Sequence, residues 1–88
     1  MEDTDVDTLV DKRILTHGSF SDTAYIYMAL IDALNHALEN RNKDVHSANH
    51  RAAINMIFMK IARICSGDPN FSDHWDDIAG YARLNSRE

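Results

Sequence analysis

Residues 54–65 form a segment that is apolar almost all the way round a helix, interrupted only by Asn55, Lys60 and Arg63. A helix with apolar side chains on every face has to be covered by several neighbouring elements. In a chain of 88 residues, the other segments must supply that cover. We therefore predict an all-α fold whose central helix spans about residues 47–66, where Gly67 and the Asp68-Pro69 pair end it.

Three further helices are predicted from apolar residues that recur at helical spacing, over about residues 4–15, 22–41 and 73–85. No segment alternates as a half-buried strand does. The expected architecture is one compact four-helix domain, residues 1–88, with the third helix in the centre. A core of this size is small, and small helical domains gain stability by pairing through a shared apolar face. We therefore expect a homodimer that also uses the third helix.

The helix ends carry recognisable signals. Gly18 is expected to end the first helix, and Ser21 to cap the second, with Phe20 packing as a hydrophobic staple before it. Ser72 or Asp73 is expected to cap the last helix. Residues 41–46 are predicted to be a polar connection.

The charge pattern limits the classes of partner. The formal net charge is −5, and the nine Lys and Arg residues are scattered along the chain. Neutralising phosphates requires clustered bases, so binding to nucleic acid is not expected. No apolar run approaches the ~20 residues that cross a membrane, and the acidic N-terminal segment lacks a signal core. These features predict a cytoplasmic protein, and the single cysteine, Cys65, is expected to be buried and inert.

The last predicted helix has an apolar stripe at residues 75, 78, 79 and 82. This spacing predicts that Trp75 is buried against the third helix, near Phe58 and Ile61. Gly80 is unfavourable inside a helix by about 1 kcal/mol, which indicates a close crossing of two helices there. Trp75, Gly80 and Tyr81 are therefore expected to be structural anchors.

Three aspartates, Asp73, Asp76 and Asp77, share one side of the first turn of that helix. Carboxylates that converge in this way can hold Mg²⁺ or Mn²⁺. The alternative is that acids at a helix start merely complement its free N–H groups and partial positive charge. His46 and His50, four residues apart, have the spacing of zinc ligands, but no third ligand accompanies them.

The C-terminal half carries a recognisable sequence pattern. Residues 56–64 (MIFMKIARI), the Gly-Asp-Pro at 67–69 and residues 73–82 (DHWDDIAGYA) resemble an uncharacterised family of small phage and prophage proteins. Residues 17–22 (HGSFSD) resemble that family's entry to its first long helix. The resemblance covers about residues 13–85, and it implies a phage context and action in the host cell cytoplasm.

The helix with Asp77 is also remotely similar to the acid-bearing helix of MazG-like all-α nucleotide pyrophosphohydrolases, in which Asp77 would match the final aspartate. In those enzymes acid pairs on neighbouring helices bind Mg²⁺ and activate water. This chain departs from that pattern, since His74 stands where a glutamate is expected. Ala52 and Asn55 likewise stand where a partner helix would supply acids.

Two functions follow as expectations. The leading one is a non-enzymatic phage-type interaction protein that binds a host or phage protein and forms a dimer. The alternative is a MazG-like nucleotide-binding protein in which Asp73, Asp76 and Asp77 hold Mg²⁺, while Lys60 or Arg63 contacts phosphate. No catalytic residue is assigned, and no cofactor other than Mg²⁺ is expected.

Overall fold

The computed structural model describes the backbone of residues 2–41 and 47–87, with side chains over residues 6–40 and 47–87. The described residues form four helices, listed in chain order: α1 (Glu2–His17), α2 (Phe20–Arg41), α3 (Ala48–Ser66) and α4 (Ser72–Arg87). The all-α prediction is confirmed, and of the predicted polar connection residues 42–46 lie outside the described part. None of the described helices is long and apolar enough to cross a membrane.

Helix α3 is the central element, as its apolar sequence predicts. It packs extensively against both α2 and α4, whereas α1 makes a smaller contact with α3. The inner face of α2 repeats every three or four residues, through Thr23, Tyr27, Leu30 and Leu34. This spacing is typical of one helix lying along another. Because its contact with α3 is the smaller one, α1 is attached to α3 less firmly than α2 and α4 are.

Two helix starts are fixed by side-chain caps. Ser19 Oγ accepts a hydrogen bond from Asp22 N at 3.2 Å, so the cap of α2 lies two residues before the predicted cap at Ser21. Phe20 is consequently the first helical residue and is 85% exposed, so the predicted staple is wrong. At the start of α3, Ser47 Oγ accepts from His50 N, and Ser47 N donates to His50 Nδ1. His50 thus completes a capping box, while His46 of the zinc alternative lies outside the described residues.

The turn between α1 and α2 packs directly on the turn between α3 and α4. Gly18 has a φ of +77°, and a Cβ there would lie 2.6 Å from the carbonyl carbon of Ser66. A Cβ on Gly67 would lie 2.6 Å from Gly18 N and would also collide with Thr16 O. Only glycine fits both positions, since even a methyl group would overlap backbone atoms.

The core of the single chain is small. Among the described side chains, Ala62 and Ile64 are the buried apolar residues, and Thr23 and His74 are the buried polar ones. Cys65 is exposed, so its predicted burial is wrong. It follows Ile64 by one position, which on a helix is a rotation of about 100° away from the buried side.

Helix α4 is rotated relative to the prediction. Its less exposed residues are His74, Ile78, Tyr81 and Asn85, a helical stripe one position before the predicted start at Trp75. Trp75 is 54% exposed, and its Nε1 donates to Pro69 O at 2.8 Å. The predicted burial of Trp75 is therefore wrong, and the physical reason is that the polar His74 takes the inner position.

Two predicted anchors on α4 differ from each other. Gly80 is exposed, and a Cβ there would meet nothing within 4 Å, so the expected close helix crossing is absent. Tyr81 is half-buried and lines a groove between α3 and α4 with Met56 and Leu84. The anchoring role of Tyr81 stays a prediction.

Candidate functional site

Three rings meet beneath the α1–α2 turn. The rings of His17 and His74 lie 4.6 Å apart between centroids and nearly perpendicular, and Phe71 lies 4.9 Å from His74 and 5.4 Å from His17. His74 is 1% exposed, and its Nε2 donates to Thr16 O at 3.0 Å. The same carbonyl accepts from Asp68 N at 3.1 Å. One carbonyl at the end of α1 therefore holds both the α3–α4 turn and α4.

A second set of hydrogen bonds ties the same turns together through Thr23 and Ser66. Their hydroxyl oxygens lie 2.8 Å apart, although they are 43 residues apart in sequence. Ser66 Oγ donates to Ala62 O at 2.8 Å, so Thr23 Oγ1 supplies the proton of the contact between the two hydroxyls, and Thr23 Oγ1 also lies 3.2 Å from His17 O. Because Thr23 is 5% exposed, its polar atoms need these partners.

His17 is electrostatically unusual. Burial, followed by the positive charge of Arg13 and by smaller electrostatic contributions from His74, Arg63 and Lys60, lowers its pKa from 6.5 to about 4. At neutral pH His17 therefore carries no charge, and its Nδ1 hydrogen-bonds Thr16 Oγ1 at 2.6 Å. The positive charge of this region comes from the arginines and from Lys60.

The three aspartates on α4 do not assemble a metal site. Over the described residues, no group of three or more His, Cys, Asp and Glu side chains is arranged to hold a metal ion. Asp73 and Asp76 are exposed, and Asp77 Oδ2 accepts from Lys60 Nζ at 2.8 Å. The hydrogen bond from Lys60 lowers the pKa of Asp77. The geometry thus pairs two predicted site residues, Lys60 and Asp77, with each other.

Arg63, the other predicted phosphate contact, lies in a recessed cavity of about 330 Å³. The cavity lies between α1, α2 and α3 and is lined by Val10, Arg13, Ile14, His17, Gly18, Phe20, Thr23 and Arg63. Arg63 Nε is buried and has no hydrogen-bond partner. Burial, and next the charge of Arg13, lowers the pKa of Arg63. Two guanidinium groups therefore line one cavity without a carboxylate between them.

Sequence patterns alone did not bring Arg13, His17 or His74 into any predicted site. Arg13 and His17 are four residues apart on α1, so they lie on one face of that helix together with Val10 and Ile14. That spacing is visible in the sequence. Their approach to Arg63 is not, because it depends on the turn at Gly18 and on where α1 meets α3.

The exposed apolar side chains are distributed unevenly. Eleven large apolar residues are exposed in the described part of the chain, and eight of them lie on α1 and α2. We refer to these eight as the α1–α2 apolar surface: Val6, Leu9, Val10, Ile14, Leu15, Phe20, Tyr25 and Met28. The other three are Met56, Trp75 and Leu84. The uncovered apolar residues thus lie mainly away from α3, the helix expected to form a dimer contact.

Residues 4–87 match the model of a family described as a domain of unknown function, DUF6378. The match spans nearly the whole chain and includes all four helices. No curated protein and no solved structure matches the chain.

Proposed function

This chain belongs to the DUF6378 family, and we propose that it is a non-enzymatic helical interaction protein that pairs with a second copy of itself and binds a protein partner. The observation that carries the proposal is the α1–α2 apolar surface on a chain with only two buried apolar residues among those described. Uncovered apolar area of this kind marks surfaces that bind other proteins.

Helix α1 supports pairing most directly. Val6, Leu9, Val10 and Ile14 recur at the spacing of an apolar stripe, yet each is 44–66% exposed. A helix of 16 residues is marginal in water unless its apolar face is packed. Since α1 makes only a small contact with α3, a second copy is the simplest source of the missing cover.

The exposed area agrees with a paired chain. A compact monomer of 10.0 kDa exposes about 5,200 Å², whereas this chain exposes 6552 Å². The difference, about 1,300 Å², exceeds the roughly 800 Å² that each partner buries in a standard interface. One interface of ordinary size would therefore bring the exposed area close to that of a compact domain.

The resemblance to phage and prophage proteins supports a narrower form of the proposal. The partner would be a host or phage protein, and the site of action would be the host cell cytoplasm. The alternative, a MazG-like nucleotide-binding protein, requires a bound Mg²⁺. Nothing in the described geometry favours it, since Asp77 is engaged by Lys60.

Melting at several protein concentrations tests the pairing. A dimer that is more stable than its separated chains melts at higher temperature as its concentration rises, for example from about 5 to about 500 µM. We expect this dependence for the native chain and for Leu84→Lys, an exposed position on α4. We expect it to disappear in a Leu9→Lys, Tyr25→Lys double variant. A melting temperature of the native chain that does not change with concentration would argue against the proposal.

A further inference from the structure

The cavity between α1, α2 and α3 combines basic side chains with apolar walls. Its basic members are Arg13 and Arg63, and its walls include the apolar side chains of Val10, Ile14 and Phe20. The volume of about 330 Å³ is at the lower end of the range found for small-molecule sites. Such sites are mostly apolar, with a few polar groups that orient the ligand.

Neither guanidinium group has a hydrogen bond or an ion pair with another of the described residues, and for Arg63 this includes the buried Nε. The contrast with Lys60 is informative, because Lys60 lies on the same helix and is paired with Asp77. A partly buried cation without a counter-charge is unfavourable. The chain carries five more formal negative than positive charges, yet no carboxylate lines this cavity.

We propose that this cavity binds a small organic anion, with its phosphate or carboxylate group held by Arg13 and Arg63 and its apolar body against Val10, Ile14 and Phe20. Arginine binds such oxygens through two parallel hydrogen bonds, which makes it suited to a planar or tetrahedral anion. Neutral His17 adds no charge of its own, so the two arginines supply the cavity with its positive charge. Val10, Ile14 and Phe20 belong both to this cavity and to the α1–α2 apolar surface, whereas Leu9 and Tyr25, the two positions changed to test pairing, do not line the cavity.

Equilibrium dialysis with three probes tests the proposal. Phenyl phosphate has both an anionic group and an apolar body, inorganic phosphate has only the first, and benzyl alcohol has only the second. We expect phenyl phosphate to bind the native chain at least about tenfold more tightly than either of the other two. Equal binding of phenyl phosphate and benzyl alcohol would overturn the anion site, and so would the absence of phenyl phosphate binding.

Binding to single-residue variants tests whether the anion is held by the two arginines of the cavity. Arg13→Met and Arg63→Met are each expected to weaken phenyl phosphate binding about tenfold or more. Arg83→Met, at an exposed position on α4 outside the cavity, is the matched control and should bind like the native chain. Binding that is unchanged in both cavity variants, or equally weakened in Arg83→Met, would overturn the assignment.

A stability measurement without ligand distinguishes a binding arginine from a structural one. Because Arg63 is partly buried without a counter-charge, Arg63→Met should keep or raise the melting temperature. A structural arginine would lower it. If Arg63→Met lowers the melting temperature by several degrees or fails to fold, Arg63 has a structural role and the proposal is overturned in its present form. In that case, phenyl phosphate binding by Arg13→Met, which changes an exposed residue, shows whether the cavity binds an anion at all.

Discussion

Gly18 and Gly67 face each other at the junction of two turns, so closely that a Cβ on Gly67 would lie 2.6 Å from Gly18 N. The α1–α2 turn and the α3–α4 turn are thereby in backbone contact. Around this contact lie the carbonyl of Thr16, which accepts from Asp68 N and His74 Nε2, and the paired hydroxyls of Thr23 and Ser66. The junction is thus held by hydrogen bonds between residues that are far apart in the sequence.

The first prediction concerns these glycines. Gly18→Ala should destabilise the fold by about 2 kcal/mol or more, because its φ of +77° disfavours a side chain and the added methyl group would meet Ser66. Gly67→Ala should be similarly harmful, since its methyl group would collide with the backbone of Thr16. Urea denaturation followed by circular dichroism measures both effects.

Gly80→Ala is the matched control for the glycine variants. It lies inside α4, where a Cβ would meet nothing within 4 Å, so alanine should stabilise the helix by about 0.5–1 kcal/mol. A loss of stability in Gly80→Ala would show that a neighbour absent from the single chain packs there. Gly18→Ala with native stability would show that the two turns are not in contact.

A second prediction compares neighbours on α4. His74→Ala should lower the free energy of unfolding by about 2–3 kcal/mol, because it removes a buried ring and leaves Thr16 O with one hydrogen bond fewer. Trp75→Ala should lower it by about 1 kcal/mol or less, since the indole is 54% exposed. The same denaturation measurement ranks the two variants. A larger loss for Trp75→Ala than for His74→Ala would mean that α4 has Trp75 on its inner side, as the apolar residues alone predict.

The third prediction is a dependence of stability on pH. The pKa of His17 is about 4 in the folded chain, compared with an ordinary value of 6.5, which applies to the unfolded chain. Above pH 6.5 its contribution to stability is complete. As the pH falls from 6.5 towards 4, the unfolded chain takes up a proton that the folded chain does not, so the free energy of unfolding decreases. Below about pH 4 this decrease levels off.

His17→Gln should make the free energy of unfolding depend less on pH between 4 and 6.5. His36→Gln changes an exposed position on α2 and is the matched control, which should keep the native pH profile. Urea denaturation at several pH values between 4 and 7 gives the comparison. The depressed pKa of Asp77 acts in a separate window, below its ordinary value of 3.8. An unchanged slope in His17→Gln would mean that another group causes the loss of stability.

The sequence alone predicts the four helices and the central place of α3, but it does not predict which face of α4 is buried. The existence and approximate bounds of all four helices, and the central place of α3, follow from apolar spacing because burial of α3 requires neighbours on several sides. The rotation of α4 does not follow, since hydrophobicity favours Trp75 for the inner position while hydrogen bonding places His74 there. A pattern of apolar residues contains no information about the hydrogen bond between His74 and the carbonyl of Thr16, which lies 58 positions away.

The candidate sites show the same division. The three aspartates on α4 are adjacent in the sequence, but the partner that engages Asp77 is a lysine on α3. Arg63 is within reach of sequence reasoning as a candidate anion contact, whereas its neighbour Arg13 is 50 positions away on a helix that makes only a small contact with α3. Long-range pairs of this kind depend on the geometry of turns, here on Gly18 and Gly67.

The fourth prediction is the mass of the protein in solution, and sedimentation equilibrium measures it directly. If the α1–α2 apolar surface pairs with a second copy, the native chain should sediment with about twice its mass of 10.0 kDa at micromolar concentrations. The Leu9→Lys, Tyr25→Lys double variant should sediment at 10.0 kDa, and Leu84→Lys should match the native chain. A native chain that remains at 10.0 kDa up to several hundred micromolar would contradict pairing.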